Sequence, residues 1–202
     1  MLVVISILSS MIYADSYLGT QGLLSIPTAN VRKTGSASFG LSFTQSDLYT
    51  NFKVAFVENL ELGIGVSNSK PIYGFFKWRL LEETRDTPAF AIGSTGSDFY
   101  AVVSKNLMPN GLKAHMGIGS GLYHGVFGGI SYVINPVSVS ATRIPVPITT
   151  LLVELKESAS NEDAPCVFNI GGRFQFNDYL SVDIGLLNMR SFTFGAYLTT
   201  AF

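Results

Sequence analysis

Ser191-Phe192-Thr193-Phe194-Gly195-Ala196-Tyr197-Leu198-Thr199-Thr200-Ala201-Phe202 is the last stretch of the 202-residue sequence. Taken alternately, one set is Phe192, Phe194, Ala196, Leu198, Thr200 and Phe202, and the other is Ser191, Thr193, Gly195, Tyr197, Thr199 and Ala201. Successive side chains of a β-strand point to opposite faces. The stretch is therefore a strand with one apolar face and one small or polar face.

The same alternation recurs back to about Gly35. Phe39, Leu41 and Phe43 alternate with Ser38, Gly40 and Ser42, and Leu60, Leu62, Ile64 and Val66 with Glu61, Gly63, Gly65 and Ser67. Phe168, Ile170, Gly172 and Phe174 oppose Asn169, Gly171, Arg173 and Gln175; Leu180, Val182, Ile184 and Leu186 oppose Ser181, Asp183 and Gly185. Pro88 to Thr95 and Phe99 to Lys105 read as strands whose facing the pattern does not set. Turn signals such as Ser46-Asp47, Asn68-Ser69-Lys70-Pro71, Asn110-Gly111 and Asn177-Asp178 separate the runs. The hairpins around Glu58-Asn59 and Asn177-Asp178 look like copies of one another. The count is about twelve strands, within a range of ten to twelve, and single-chain bacterial barrels use even numbers.

Hydrophobic residues make up 47% of the chain and charged residues 13%, against about 25% charged in soluble domains. That is too little charge to cover a water-facing surface. Apart from the N-terminus, no apolar run reaches the ~20 residues of a membrane helix. Lipid offers no partner to an open sheet edge, so a closed barrel is the remaining membrane solution. The expected fold is all-β: a closed antiparallel transmembrane β-barrel over residues 36–202. Residues 1–14 resemble a secretory signal cleaved after Ala14, although no Lys or Arg precedes the apolar run. Residues 15–35 are expected to form a periplasmic N-terminal segment or plug. Leu23, Leu24 and Ile26 need burial, which points to the periplasmic mouth.

A soluble barrel keeps its apolar face inside; a membrane barrel inverts this. Inversion is favoured because the polar face is built of Gly and Ser with charges of both signs, which can pair in a lumen. Lys53, Glu61, Lys77, Arg79, Lys113, His115, Glu154, Arg173 and Asp183 are accordingly expected to line the lumen. Tyr49, Trp78, Tyr100, Tyr123, Tyr132, Tyr179 and Phe202 are expected to form interfacial girdles. With both termini periplasmic, turns near Asp47, Ser69, Gly96, Tyr123, Ser160 and Met189 face outward. Those near Glu58, Thr84, Asn110, Val139 and Asn177 face the periplasm.

A strand ending on a C-terminal Phe resembles the address by which outer-membrane barrels are recognised by the barrel assembly machinery. The resemblance assigns Phe194, Gly195, Leu198 and Phe202 to an assembly signal. Gly22-Leu23-Leu24-Ser25-Ile26-Pro27-Thr28-Ala29, followed by Gly35 and Ser38-Phe39-Gly40-Leu41-Ser42, resembles the opening of YjbH-like outer-membrane proteins. Ser104-Lys105-Asn106-Leu107 and Phe168-Asn169-Ile170-Gly171-Gly172-Arg173-Phe174 are similar to later strands of that family. The resemblance implies a role in exopolysaccharide production at the envelope, with polysaccharide-export proteins as partners.

The chemistry expected from single residues is sparse. His115 reads either as a proton-transfer or gating residue or, preferably, as a hydrogen-bonder in the lumen. His124 reads as a turn residue. Glu154, Lys156, Arg173 and Asp183 either line a solute path or, preferably, form a paired network. The lone Cys166 has no disulfide partner and no Cys/His cluster suggests a metal. No catalytic residue and no cofactor are assigned. The net charge of −1 gives no case for nucleic acid. The expected function is an integral outer-membrane barrel in a Gram-negative-type bacterium, in contact with outer-membrane lipid, non-enzymatic, with a structural or small-solute passage role. Alternatives are assistance to exopolysaccharide or lipid export and, less favoured, an outer-membrane enzyme.

Overall fold

A computed structural model describes residues 15–108, 111–135, 146–158 and 166–202. The signal expected over 1–14, the turn at Asn110 and the loops near Val139 and Ser160 lie wholly or partly outside the described residues. Twelve strands follow one another: β1 (Ser36–Thr44), β2 (Leu48–Val57), β3 (Leu60–Ser67), β4 (Tyr73–Leu81), β5 (Ala89–Thr95), β6 (Asp98–Met108), β7 (Leu112–Gly119), β8 (Gly125–Val133), β9 (Ile148–Glu157), β10 (Cys166–Gln175), β11 (Leu180–Leu187) and β12 (Ser191–Ala201). Each pairs antiparallel with its sequence neighbours, and β12 closes on β1. The closing seam runs from Ser36 opposite Ala201 to Thr44 opposite Thr193. At the seam's end Phe202 N donates to Gly35 O and Gly35 N donates to Ala55 O, each at 2.8 Å. Every strand thus has two partners, which satisfies the backbone where lipid could not.

The inverted facing is what the strands show. Ile64, Ile118, Phe192 and Leu198 are 56–61% exposed, whereas Lys53, Glu61, Lys77 and Glu154 are fully buried. An apolar exterior around a charged interior is stable only when lipid, not water, surrounds it. The chain is an integral membrane β-barrel. Trp78, Tyr132, Tyr179 and Phe202 are exposed and lie toward the end where β1 begins and β12 stops, as interfacial anchors do. The girdle expectation fails for Tyr49, Tyr100 and Tyr123. Tyr100 and Tyr123 are buried, with ring centroids 4.9 Å apart, and Tyr49 packs on Tyr17.

The interior accounts for this. A Cβ at Gly93 would lie 2.5 Å from the Tyr100 ring, and one at Gly117 would lie 2.4 Å from the Phe127 ring. Glycine on one strand receives the aromatic of the next, a device that fills a barrel from within.

Among the described residues, the turns at the end where β1 stops and β12 begins are short. At β11–β12, Arg190 N donates to Leu187 O at 3.1 Å around Asn188 and Met189, both at positive φ (52° and 53°). That conformation matches the right-handed twist of the strands it joins.

Candidate functional site in the barrel lumen

Residues 15–32 are almost all buried. The segment meets the wall beside Lys33, at the end where β1 begins, and reaches Tyr49, whose ring centroid lies 5.0 Å from that of Tyr17. Tyr49 pairs with Ser42 and Ser67, near the opposite end. The segment therefore runs through the lumen rather than sitting at the periplasmic mouth. It folds on itself with turn bonds: Gly19 N to Ser16 O at 2.9 Å, Leu23 N to Ile26 O at 3.0 Å and Tyr17 N to Leu24 O at 3.0 Å. Bridges join Asp15 to Gln21 and Gly22 to Pro27. Pro27 lacks an N–H, which suits a compact turn structure and not a strand in the wall.

Apolar groups of the segment meet apolar groups of the wall. Leu18, Leu23, Leu24, Ile26 and Ala29 pack with Ala89, Ala91, Val102, Phe127 and Leu152. Leu23 Cδ1 would stand 2.5 Å from a Cβ at Gly129, and Leu24 Cδ1 2.8 Å from one at Gly185. These wall glycines give the leucines their room. The inward Ala89, Ala91 and Val102 also settle the facing of β5 and β6. Both faces there are apolar, so alternation carried no signal.

The wall charges hold the segment. Asp15 Oδ2 accepts from Arg32 Nη2 at 3.1 Å and Ser38 Oγ at 3.0 Å, and Asp15 Oδ1 accepts from Lys53 Nζ. Lys53 also reaches Glu61 at 3.3 Å, and Glu61 accepts from the backbone N–H of Arg32. Lys77 Nζ donates to the carbonyls of Gln21 and Asn30, the latter at 3.2 Å. Glu154 accepts from Ser25 N at 2.8 Å, Ser25 Oγ at 2.7 Å, Ile26 N at 3.2 Å and Asn169 Nδ2 at 2.7 Å. Arg173 forms a two-pronged pair with Asp183, at 2.8 and 2.7 Å. It also donates to the carbonyls of Gly22 at 3.0 Å and Asp15 and Leu23 at 3.2 Å. Burial opposes ionisation of Asp15, but Arg32 and Lys53 outweigh it and hold the carboxyl well below its ordinary range.

His115 bridges two serines, with Ser104 Oγ at 2.8 Å from Nδ1 and Ser131 Oγ at 3.2 Å from Nε2. Ser104 Oγ already accepts from Ala29 N at 2.8 Å. It can donate to Nδ1, which leaves Nε2–H to donate to Ser131. A nucleophile needs access and its base an orienting partner. Ser104 is covered by Ala29, and no carboxylate contacts the ring among the described residues.

Arg79 and Lys113 differ from the other lumen candidates by lying at the rim. Arg79 Nε donates to Asn59 Oδ1 at 2.9 Å, and the guanidinium pairs with Glu82. Lys113 joins Asn30 Oδ1 at 2.8 Å to Glu83 at 2.9 Å. The β4–β5 loop is fastened further by Lys105 Nζ, 2.7 Å from the carbonyls of Thr84 and Arg85. Burial opposes ionisation of Glu83 as well, but Asn106 N–H and Lys113 hold its carboxyl below the ordinary range. Phe194, Gly195 and Leu198 lie within the seam strand, with Phe194 opposite Phe43 and Leu198 opposite Phe39. Phe202 packs on Phe56 at a centroid distance of 5.6 Å. Asp15, Ser25 and Arg32 are the site residues that sequence reasoning missed. Asp15 adjoins an expected cleavage site, and the other two sit in an aperiodic run. The only hint was the burial demand of Leu23, Leu24 and Ile26. Among the described residues, no cluster of three or more His, Cys, Asp or Glu could hold a metal ion.

Comparison with known proteins adds two findings. Among solved structures, the chain is similar to a KdgM porin, with TM-score 0.53 and 12% identity over 83% of this chain and 99% of that one. It is also similar to a KdgM porin in complex with disordered oligogalacturonate, with TM-score 0.50 and 13% identity over 83% of this chain and 99% of that one. At such identities the likeness concerns the barrel fold. A comparison with curated protein sequences gives no match. The family model described as exopolysaccharide biosynthesis protein YbjH matches residues 14–143, which takes in the lumen segment and the strands from β1 through β8. The chain belongs to this YjbH family.

Proposed function

We propose that the barrel passes a small solute across the outer membrane and that residues 15–32 are its plug, closing it at rest. One observation carries this reading. The buried wall charges are bonded largely to the segment's backbone and to Asp15, so the lumen's polar surface is used up in holding a piece of the chain. A wall meant only to be filled could do so with apolar side chains, at no cost in buried charge. Here Lys77, Glu154 and Arg173 grip carbonyls and N–H groups. Those wall groups can be handed back to water when the segment leaves. The track then exposed has Lys53 and Lys77 on either side of Glu61, and Arg173 between Glu154 and Asp183. Charge of both signs suits a polar solute of low net charge.

The role is read as non-enzymatic, because among the described residues no carboxylate backs the His115 ring and the nearer of its two serines, Ser104, is covered. Residues 1–14 are read as a cleaved signal. Phe194, Gly195, Leu198 and Phe202 are read as the signal presented to the barrel assembly machinery. A second reading is favoured by membership of the YjbH family: the barrel serves exopolysaccharide production beside polysaccharide-export proteins. Loss of secreted polysaccharide in a deletion strain, restored by the intact chain, supports that role.

The plug reading is tested by planar-bilayer conductance of the intact chain and of a variant lacking residues 15–32. The intact barrel is expected to stay closed for most of the record, and the variant to conduct steadily. Equal conductance, or silence in both, contradicts it.

A further inference from the structure

At the end of the barrel where β1 stops and β12 begins, a cleft of about 280 Å³ opens between the β1–β2 turn, the β11–β12 turn and the lumen segment. Its chemistry is carried by Tyr17, Tyr49, Gln45, Ser46, Asn188 and Ser191, and no lining residue is charged. Tyr17 and Tyr49 are tilted by 50° to one another, so the two rings present differently directed faces. Ser191 Oγ donates to Gln45 Oε1 at 2.9 Å, which leaves Gln45 its amide hydrogens for another acceptor. The rim at Asn188 and Met189 is set in the left-handed region without glycine, a conformation that persists only where its surroundings impose it. Asn188 N donates to Asn169 Oδ1 at 2.8 Å. Asn169 in turn donates to Glu154 and Ser25, so the rim is tied to the carboxylate that grips the segment.

Aromatic faces among amide and hydroxyl groups match the two surfaces of a sugar ring, its C–H face and its hydroxyl edge. An acidic sugar would need a cation in the lining; none of the lining residues is one, Arg190 between Asn188 and Ser191 is turned to solvent, and Asp47 lies 3.5 Å from the Tyr49 hydroxyl. Ligand clefts commonly run roughly 300–1,000 Å³, so this one accommodates a ring or two and not a long chain. We propose that the cleft binds a neutral saccharide, and that its occupancy favours the seated segment because Tyr17 forms one of its walls. A ligand that binds only the seated form stabilises that form by linkage. The binding site does not depend on the barrel being a gated passage; the linkage rests on the segment being able to leave.

The test uses the full chain extracted from outer membranes into detergent micelles. Calorimetric titrations with maltotriose, cellotriose and mannotriose are compared with trigalacturonate. At least one neutral sugar is expected to bind saturably and about tenfold or more tighter than the acidic one. Tyr49→Ala and Gln45→Ala are each expected to weaken binding by about tenfold or more, with Tyr49→Phe close to wild type. Gln45→Ala alters an exposed turn, so it remains informative if Tyr49→Ala fails to assemble. Saturating sugar is expected to slow tryptic cleavage after Arg32. The site is overturned if no neutral sugar binds, if trigalacturonate binds as tightly, or if Gln45→Ala has no effect. Unchanged cleavage under saturating sugar overturns the linkage. A barrel that stays silent without residues 15–32 would contradict the plug and leave the binding result standing.

Discussion

Asp15 holds more of the lumen together than any other single side chain of the segment. It meets Lys53 and Arg32, and the side chains of all three are at most 1% exposed. Removing one partner of a buried pair leaves an uncompensated charge and costs about 3–5 kcal/mol. The strands' own hydrogen bonds are untouched, so in Asp15→Ala that cost falls on seating of the segment. Trypsin is expected to cleave this variant after Arg32 much faster than wild type, while the barrel keeps its heat-modifiable migration in gels. Equal cleavage rates would show that Asp15 does not hold the segment. Leu24 makes the matching apolar case. It is 3% exposed, above Gly171 and Gly185, and Leu24→Ala removes about 2–5 kcal/mol by transfer and cavity terms. The same protease measurement is expected to show a rise in cleavage.

The segment as an element responds to pH through Asp15. Its carboxyl is held below the ordinary range when seated, and it returns to about 3.9 once released into water. A depressed acid contributes stability that is complete above the released value and is lost as pH falls below it. Conductance of the intact barrel is therefore expected to be low and flat from neutral pH down to about 5, then to rise toward pH 3. Asp15→Asn, which has no proton to gain, is expected to lack that rise. Strands are the elements most plainly readable in the sequence, because lipid on one side and polar filler on the other impose a strict period of two. β5 and β6 were not readable in facing. Their inner positions Ala89, Ala91 and Val102 are apolar because Leu18, Ile26 and Ala29 press on that side. Wall charges such as Lys53 and Glu154 could be placed on the inner face by alternation. Their partners could not, since the segment that supplies them has no period and its contacts span 129 residues in the case of Ser25 and Glu154.

The whole molecule is an inside-out protein whose stability depends on lipid. Ile64 lies midway along β3 and is 59% exposed. Arg there would be held in hydrocarbon at a cost of about 2–4 kcal/mol. Ile64→Arg is expected to lower the guanidinium midpoint of the barrel in phospholipid vesicles accordingly, whereas Ile64→Leu is expected to leave it almost unchanged. The apolar exterior places such a molecule in a membrane, and on the function proposed above the filled lumen is its closed, resting state. The most direct measurement of that closure ties the segment to its wall. In a Cys166→Ser background, Ser25→Cys and Asn169→Cys replace a contact of 3.0 Å, and a short cleavable thiol cross-linker joins them. Single-channel recordings should show no openings while the link is intact and openings once it is cut. Openings that persist at full amplitude through the intact link would contradict the account.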